Sequence, residues 1–285
     1  FKMAIDLGKQ EGADVLIAVD PDADRLGTAV RQPDGEYVLL TGNQIAAVLL
    51  HYILQANQDA GTLPENAAAV KSIVSSEFAT KVAASYGVTM INVLTGFKYI
   101  AEQIEHFEAT GEHTYMFGFE ESYGYLIKPF VHDKDAIQTT VLLAEVAAYY
   151  KQQGKNLYDG LQDLFKEYGY FREQTTSEEF DGVGGSDKIA ALMTKFRSEA
   201  PTAFAGYAVT ATEDFQNQTE SFADGHTAPI DLPQANVLKY HLEDGTWIAI
   251  RPSGTEPKIK FYIGTLGSTL NEANDKLAKF EAAIQ

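Results

Sequence analysis

The sequence predicts an α/β protein made of a partial α/β domain, a complete βαβ domain and a small C-terminal α+β domain with an antiparallel sheet. Between residues 67 and 119, short apolar runs alternate with stretches whose apolar residues recur at helical spacing, the pattern of parallel βαβ units. Beyond residue 237 the pattern changes to consecutive strands around the turn Glu243-Asp244-Gly245. The 285 residues also exceed the usual size of one hydrophobic core. We therefore predict domains at residues 1–41, 42–170 and 171–285.

The first domain is predicted to begin with a helix and to continue as strands. A helix followed directly by a strand is half of an α/β unit, and because no strand precedes it we expect the chain to start inside a domain. Gly12 ends the helix, and the turn Pro33-Asp34-Gly35 joins the last two strands. The predicted elements are a helix at residues 1–10 and strands at 15–19, 27–31 and 37–40.

The second domain is predicted to alternate helices and strands, which requires parallel crossover connections. In such sheets, ligands bind beyond the carboxyl ends of the strands. Residues 95–98 and 118–125 follow predicted strands, so both loops are candidates for a binding site. The predicted helices are at residues 44–56, 76–86, 97–110, 136–152 and 157–168, and the predicted strands are at 67–74, 88–93 and 114–119.

The third domain, predicted at residues 171–285, has near its start a predicted boundary loop or hinge region at residues 175–185, a segment rich in Thr, Ser, Glu and Gly. The order of its elements indicates a separate α+β domain with an antiparallel sheet. A polar loop separates its first strand from the hairpin. The predicted elements are helices at residues 186–198 and 269–284 and strands at 205–213, 237–242, 246–250 and 258–263.

Composition and charge narrow the possible partners. With 40 acidic and 22 basic residues the formal net charge is −18, which disfavours nucleic acids and anionic membranes as partners. No apolar run approaches the roughly 20 residues that a membrane-spanning helix needs. The absence of cysteine excludes disulfides and thiolate chemistry and is typical of intracellular proteins, so a cytoplasmic location is expected. An anionic substrate would need a local basic pocket.

Three carboxylates at alternate positions, Asp20, Asp22 and Asp24, follow the apolar run at residues 15–19. A nearly extended segment that bends at Pro21 can direct three alternate oxygens at one cation. Oxygen ligands of this kind suit Mg²⁺. The segment is therefore a candidate magnesium site.

Other interpretations of the three carboxylates can be compared with the sequence. An EF-hand loop starting at Asp20 is excluded, because its sixth and twelfth positions would be Arg25 and Arg31 instead of Gly and Glu. Two alternatives remain open. The carboxylates could form a solvated acidic turn, or Asp20 or Asp22 could be the nucleophile of a phosphatase.

Residues 118–125 contain two adjacent glutamates and a serine between glycines: Glu120, Glu121 and Ser122. Carboxylates beside a hydroxyl at the end of a strand can accept and donate hydrogen bonds to neighbouring sugar hydroxyls. We therefore predict a sugar-binding loop. The alternative is a helix N-terminus with acidic residues in its first turn.

Residues 251–257 connect two predicted strands and combine a guanidinium, two hydroxyls and a glycine, provided by Arg251, Ser253, Thr255 and Gly254. A guanidinium can bind phosphate through two parallel hydrogen bonds, and glycine lets backbone N–H groups approach an anion closely. These residues predict a phosphate-binding loop. The alternative is a plain hairpin connection.

The three loops, in this order, resemble the metal-binding, sugar-binding and phosphate-binding loops of the α-D-phosphohexomutases, and most closely those of the bacterial phosphoglucomutases and their phosphopentomutase-like relatives. Residues 95–98 resemble a further loop of the family's cleft, so the resemblance covers essentially the whole chain. It implies a C-terminal portion of a four-domain fold: residues 1–41 as the remnant of metal-binding domain 2, residues 42–170 as sugar-binding domain 3 and residues 171–285 as phosphate-binding domain 4.

The family's first domain carries a serine that is phosphorylated in the active enzyme, within a Thr/Ser-Ala-Ser-His-Asn-Pro motif. This motif is absent from the chain, in which no Ser-His pair occurs. The resemblance therefore implies that missing N-terminal domains of the same protein are partners of this chain. It also implies that the chain alone does not catalyse the reaction.

The reaction implied by the resemblance is an isomerisation of glucose 1-phosphate and glucose 6-phosphate. Phosphoryl transfer passes through glucose 1,6-bisphosphate, which must reverse its orientation between two half-reactions, and Mg²⁺ is the implied cofactor. The resemblance also implies roles for individual residues. Asp20, Asp22 and Asp24 would bind the metal, Arg25 would neutralise charge, and Lys134 or His132 would transfer a proton. Glu120 and Ser122 would bind the sugar, Thr95, Gly96 and Lys98 would contact the substrate in the cleft, and the phosphate would be bound by Arg251, Ser253, Gly254 and Thr255.

Other functions stay open at the level of the sequence. The sugar is not decided by loop spacing, so a phosphomannomutase or phosphopentomutase of the same family is an alternative. A non-catalytic module that binds sugar phosphates is a second alternative. A phosphatase with an aspartate nucleophile is the third.

Overall fold

The computed structural model describes residues 1–180, 184–254 and 256–284. The chain divides into two compact units, Phe1–Tyr168 and Gly169–Gln285. Helices and strands occur in both units, which confirms the predicted α/β fold class. The finer division of the first unit into domains 1–41 and 42–170 stays a prediction. Among the described residues, no helix combines the length and the apolar character needed to cross a lipid bilayer.

The first unit begins with a helix and a three-stranded antiparallel sheet. Helix α1 spans Lys2–Glu11, and strands β1, β2 and β3 span Val15–Val19, Leu26–Arg31 and Tyr37–Leu40. Gly12 ends α1 in the left-handed conformation, with φ of 68°, which glycine adopts without strain. The strands are in the order β1-β2-β3, and Val19 lies opposite Leu26. The loop between β1 and β2 therefore turns tightly, and it contains the three predicted metal ligands.

A four-stranded sheet and its helices form the rest of the first unit. The elements are α2 at Gly42–Asp59, β4 at Ala67–Ser72, α3 at Glu77–Ser85, β5 at Thr89–Val93, α4 at Phe97–Thr110, β6 at Thr114–Glu120, β7 at Gly124–Leu126, α5 at Ala136–Gln152 and α6 at Leu157–Tyr168. The strand order is β5-β4-β6-β7. Strand β4 is fully buried and pairs in parallel with both of its neighbours, which confirms the predicted crossovers. Strand β7, which pairs with β6 in the antiparallel direction, was not predicted.

The local sequence explains where α2 begins. The N–H of Gln44 donates to the Thr41 hydroxyl (3.3 Å), and the N–H of Thr41 donates to the Gln44 side chain (2.9 Å). This reciprocal capping box starts the helix at Gly42, before the predicted start at residue 44. The buried residues of α2 include Ile45 and Leu49, so its first turns lie in the core.

The second unit is an antiparallel sheet with two helices. The elements are β8 at Tyr170–Glu179, α7 at Gly185–Ser198, β9 at Ala203–Phe204, β10 at Tyr207–Asp214, β11 at Thr219–Phe222, β12 at Thr227–Pro229, β13 at Leu238–Leu242, β14 at Trp247–Pro252, β15 at Lys258–Gly267 and α8 at Leu270–Ile284. The strand order is β12-β11-β10-β13-β14-β15-β8, and β9 pairs with β10. Ile189 and Met193 of α7 and Phe280 of α8 share one core with Ile248 and Ile263 of the sheet.

The boundary loop or hinge predicted at residues 175–185 is wrong over residues 175–179, which are the second half of β8, and at Gly185, where α7 begins. Residues 181–183 of this segment lie outside the described residues. Strand β8 pairs with β15 from Tyr170 opposite Gly267 to Glu179 opposite Lys258. It lies at an edge of the sheet and is mostly exposed beyond Gln174, so polar residues are tolerated there. Strands β11 and β12 likewise lie in a segment that was predicted to be a polar loop.

Candidate functional site

The loop that joins β1 to β2 is closed by the side chain of its first aspartate. Oδ1 of Asp20 accepts hydrogen bonds from the N–H of Asp24 (3.1 Å) and the N–H of Arg25 (3.0 Å). Ala23 takes a left-handed φ of 59°, and its N–H donates to the Asp20 carbonyl (3.0 Å). The bond from Arg25, which contributes most, holds the pKa of Asp20 below its ordinary value. Asp20 is therefore an ionised carboxylate that also fixes the loop.

The loop brings together the three predicted metal ligands. Asp20, Asp22 and Asp24 each contribute a carboxylate oxygen, and these oxygens lie within 4.8 Å of one another. Oδ1 of Asp24 is buried and has no hydrogen-bond partner among the described residues. Nε of Arg25 lies 3.9 Å from this oxygen, at ion-pair distance. Clustered carboxylate oxygens, one of which is buried without a hydrogen bond, suit a small divalent cation with oxygen ligands. The donor set thus fits Mg²⁺.

Backbone hydrogen bonds join this metal loop, residues 20–25, to the predicted sugar loop, residues 118–125. The N–H of Leu26 donates to the carbonyl of Tyr123 (3.1 Å), and Arg25 and Gly124 form an antiparallel bridge. Tyr123 has a left-handed φ of 69°, which is uncommon for a side chain of this size. The two predicted loops are consequently adjacent in the structure.

The segment that follows β7 contacts the metal loop as well. The N–H of Ala136, at the start of α5, donates to the carbonyl of Ala23 (3.0 Å). Asp135 caps α5, because its side chain accepts the N–H groups of Ile137 and Gln138. This arrangement positions the preceding residues, including Lys134, beside the metal loop.

Lys134 forms ion pairs with two aspartates. Its Nζ lies 3.1 Å from Oδ2 of Asp24 and 2.9 Å from Oδ1 of Asp133, and 5.4 Å from the centre of the Phe97 ring. Its stem passes over Gly124, where an added Cβ would lie 2.3 Å from Cδ of Lys134. Burial alone would lower the pKa of Lys134, but the hydrogen bonds to Asp133 and Asp24 outweigh it and raise the pKa above its ordinary value.

Two other predicted basic residues point to different partners. Nδ1 of His132 lies 3.3 Å from Oε1 of Glu105 on α4, and its side chain is exposed. Nζ of Lys98 lies over the ring of Tyr99, 4.6 Å from its centre. Of the two residues predicted for proton transfer, Lys134 is the one for which the described contacts include a metal-loop residue.

A buried carboxylate joins the loop at residues 95–98 to the sugar loop. Oε1 of Glu120 accepts the N–H of Gly96 (2.7 Å), and Glu120 is 5% exposed. Gly96 has φ of 122°, a conformation open to glycine, at the N-terminus of α4. Oγ1 of Thr95 is buried without a hydrogen-bond partner among the described residues. Thr95, Gly96 and Glu120 therefore meet at the carboxyl ends of β5 and β6.

A groove of about 660 Å³ opens between the metal loop and the sugar loop. Its polar lining includes Asp20, Arg25 and Ser122, and its apolar lining includes Val19 and Leu39. The side chain of Arg25 is half exposed. The volume is within the usual range for small-molecule sites. A smaller cavity of about 260 Å³ lies near the start of β1, and none of the predicted site residues line it.

Sequence reasoning missed two serines that form hydrogen bonds with the sugar loop. Ser72 and Ser75, at and just beyond the carboxyl end of β4, form hydrogen bonds with the side chain of Glu121 (3.2 and 3.4 Å). The available signal was the serine-rich sequence that follows a central parallel strand, because such loops lie at the ligand-binding edge of the sheet.

The predicted phosphate loop belongs to the second unit and connects β14 to β15. Arg251 lies opposite Lys260 in the register, and the N–H of Ser253 donates to the carbonyl of Lys258 (2.8 Å). Gly254 is exposed, and a Cβ there would meet nothing within 4 Å. Thr255 lies outside the described residues. The connection thus presents Arg251 and Lys260 side by side on neighbouring strands.

Comparison with known families identifies both units. Residues 41–168 match the model of the phosphoglucomutase/phosphomannomutase alpha/beta/alpha domain III, and residues 194–279 match that of the phosphoglucomutase/phosphomannomutase C-terminal domain. A phosphoglucomutase of Staphylococcus epidermidis is 44% identical over 264 residues, which cover 92% of this chain and 47% of the relative. A phosphoglucomutase of Staphylococcus aureus USA300 is 39% identical over 279 residues, covering 97% of this chain and 49% of the relative. The chain spans about half the length of the curated relatives it matches.

Solved structures of lower sequence identity share the fold. Parafusin, a phosphoglucomutase from Paramecium, superimposes with a TM-score of 0.62 at 18% identity, over 95% of this chain and 45% of that protein. The N-acetylphosphoglucosamine mutase of Aspergillus fumigatus, solved with GlcNAc-6P and magnesium, gives a TM-score of 0.52 at 14% identity, over 99% of this chain and 52% of that protein. The family models and the fold together confirm the resemblance: the chain belongs to the phosphoglucomutase/phosphomannomutase family of α-D-phosphohexomutases.

Proposed function

We propose that this chain carries the metal-binding, sugar-binding and phosphate-binding parts of a phosphoglucomutase that interconverts glucose 1-phosphate and glucose 6-phosphate through glucose 1,6-bisphosphate. The observation that carries the proposal is the direct hydrogen bonding between the metal loop and the sugar loop, in which Leu26 pairs with Tyr123 and Arg25 with Gly124. This pairing supports one site in which a phosphoryl group and sugar hydroxyls are held together. The names of the staphylococcal relatives favour glucose as the sugar.

Asp20, Asp22 and Asp24 would hold Mg²⁺, since they provide three clustered carboxylates. The ion supplies positive charge that neutralises the oxygens of the transferring phosphoryl group. Arg25 lines the same groove with a half-exposed guanidinium, which can donate to those oxygens from the protein side.

Glu120 and Ser122 would orient the sugar. Oε1 of Glu120 is engaged by Gly96, which leaves Oε2 as an acceptor for a hydroxyl group. Ser122 lines the groove and can donate or accept. Thr95 supplies a further hydroxyl that has no hydrogen-bond partner among the described residues. Lys98, which is exposed at the start of α4, adds a positive charge for a substrate phosphate.

Lys134 is better supported for proton transfer than His132, because it contacts the metal loop. Its raised pKa keeps the ammonium group protonated at neutral pH, which suits a general acid. The reverse half-reaction needs a base, and Lys134 can act as one only after separation from Asp24 and Asp133. In the half-reaction that forms the bisphosphate, a neutral Nζ would accept the proton of the attacking hydroxyl. In the other half-reaction, the protonated Nζ would return a proton to the oxygen that leaves.

Arg251, Ser253, Gly254 and Thr255 would bind the phosphate that does not react. Arg251 offers two parallel donors, and Lys260 on the neighbouring strand adds positive potential. A bisphosphate needs such a second phosphate site because both of its ends must be held in turn. A simple phosphatase has no need for it.

Binding and turnover, measured together, test the proposal. We expect calorimetry to detect glucose 1,6-bisphosphate binding to the chain in the presence of Mg²⁺, and an enzymatic assay to detect no mutase turnover, because the serine motif is absent from the sequence. Glucose without phosphate is the control ligand. Absence of bisphosphate binding at millimolar concentration would contradict the proposal. Phosphate release that Asp20→Asn abolishes would favour the phosphatase instead.

A further inference from the structure

Ser72, Ser75 and Glu121 form a closed ring of hydrogen bonds behind the sugar loop. The N–H of Glu121 donates to Oγ of Ser75 (3.1 Å), the two serine hydroxyls lie 2.9 Å apart, and Oγ of Ser72 donates to Oε2 of Glu121 (3.2 Å). The hydroxyl of Ser75 can therefore donate to Ser72 while accepting from the backbone of the loop. We call these three residues the serine–glutamate ring.

The two serines of the ring lie in the interior of the first unit. Ser72 and Ser75 are fully buried, and burial raises the pKa of Glu121 with a further contribution from the neighbouring Glu120 carboxylate. Glu120 and Ser122, on either side of Glu121, are the residues proposed to bind the sugar. The hydrogen bonds described for the Glu121 carboxylate come from Ser72 and Ser75, so this side chain holds the loop to the rest of the protein.

The ring is attached to the core through the connection between β4 and α3. Lys71 is fully buried, and its Nζ donates to the carbonyl of Ser75 (3.2 Å) and to Oε1 of Glu77 (3.0 Å). The N–H of Ser76 donates to Oδ1 of Asn43 (3.0 Å), which joins the same connection to α2. The serines therefore belong to a rigid part of the first unit.

The start of α2 closes the other side of the loop. A Cβ added to Gly42 would lie 2.1 Å from the carbonyl oxygen of Glu121, so only glycine allows this approach. The hydroxyl of Tyr125 donates to the carbonyl of Gly42 (3.1 Å). The backbone at Glu121 is thus held between α2 and the serine–glutamate ring.

We infer that Glu121 is a positioning residue, and that the serine–glutamate ring sets the conformation of the sugar loop from which Glu120 and Ser122 reach the substrate. The sugar-binding part of this inference rests on the proposed function. The positioning part rests on the ring alone.

Hydrogen–deuterium exchange on the whole chain tests the positioning. In Ser75→Ala the N–H of Glu121 loses its acceptor, so we expect exchange in residues 118–125 to accelerate about tenfold while α6 keeps its wild-type rate. In Glu121→Gln the amide oxygen can still accept a hydrogen bond from Ser72, and the backbone N–H of residue 121 can still donate to Ser75. Hydrogen exchange in residues 118–125 of this variant should therefore stay within about twofold of the wild-type rate. Ser268→Ala removes a serine–glutamate bond in the second unit and is the matched control.

The outcomes separate the two parts of the inference. Unchanged exchange in residues 118–125 of both Ser75→Ala and Ser72→Ala would overturn the positioning role. Equal acceleration across the first unit would also overturn it, because that pattern shows general destabilisation. Where the wild type binds glucose 1,6-bisphosphate, Ser75→Ala should weaken binding about tenfold and Ser268→Ala should not. If the wild type does not bind, the proposed function fails, and the exchange result still decides the role of the ring.

Discussion

Nζ of Lys134 lies 3.1 Å from Oδ2 of Asp24, so the segment before α5 contributes a cation directly to the metal loop. These residues are far apart in the sequence, and two sets of hydrogen bonds bring them together. Asp135 caps α5, and Ala136 donates its N–H to Ala23. A proposed metal ligand and a proposed proton donor are therefore parts of one charged cluster.

Removing the charge of Lys134 should impair substrate binding. Lys134→Met removes the ammonium group beside the metal loop and keeps most of the volume of the aliphatic side chain. We therefore expect calorimetry to show that glucose 1,6-bisphosphate binds about tenfold more weakly to this variant. His132→Gln is the comparison, and it should change binding less than about twofold because His132 pairs with Glu105. A greater loss of bisphosphate affinity in His132→Gln than in Lys134→Met would contradict this prediction.

Removing one carboxylate from the metal loop should weaken cation binding. Asp24→Asn loses a charged ligand, and we expect the affinity for Mg²⁺, measured by calorimetry without sugar phosphate, to fall about tenfold or more. Asp6→Asn removes an exposed carboxylate from α1 and should leave the affinity unchanged. Equal Mg²⁺ binding by wild type and Asp24→Asn would exclude Asp24 as a ligand.

A methyl group at Gly42 should destabilise the first unit. The added Cβ would lie 2.1 Å from the backbone oxygen of Glu121, and a backbone atom cannot move aside cheaply. We expect Gly42→Ala to lower the free energy of unfolding by about 2 kcal/mol or more in urea denaturation. Gly111→Ala is the control, because a Cβ at Gly111 would meet no atom within 4 Å. Its only penalty is the strain of alanine in the left-handed conformation, so it should lower the free energy of unfolding by about 1 kcal/mol. An equal decrease in the free energy of unfolding for the two variants would show that α2 and the sugar loop are not in close contact at Gly42.

The buried carboxyl of Glu121 should make stability depend on pH. Burial and the Glu120 carboxylate raise the pKa of Glu121 above the ordinary value of 4.5, so the folded state retains a proton that the unfolded state has lost. The free energy of unfolding should therefore fall as pH rises from 4.5 through the raised pKa. We expect Glu121→Gln to remove this fall in denaturant titrations across that range. Glu102→Gln, at an exposed site on α4, is the control, and a parallel pH profile for Glu121→Gln and wild type would contradict the assignment.

The helices and strands of the first unit could be predicted because the spacing of its apolar residues matches the period of each element. Strand β4 is an uninterrupted apolar run up to Lys71, and α4 has a clear apolar stripe that includes Ile100 and Ile104. In the second unit the same reasoning failed for β8, because an exposed edge strand has no apolar pattern to detect. Pairing with β15, which the local sequence does not encode, makes this segment a strand.

Individual site residues were predictable where a loop contains several of them in sequence. Asp20, Asp22 and Asp24 form a local pattern, and the structure brings their oxygens together. The partnership of Ser75 with Glu121 was not predictable, because each residue is ordinary in its own segment and the two meet only when β4 and β6 pair. Polar networks between distant segments depend on tertiary packing, which periodicity does not report.

The hydrogen bonds that join Leu26 to Tyr123 and Arg25 to Gly124 have a consequence for a substrate with two phosphates. They hold the metal loop beside the sugar loop, although the strands next to these loops belong to two different sheets. If the chain binds a sugar bisphosphate as proposed, these hydrogen bonds would hold the metal loop and the sugar loop at the same spacing for either orientation of the sugar.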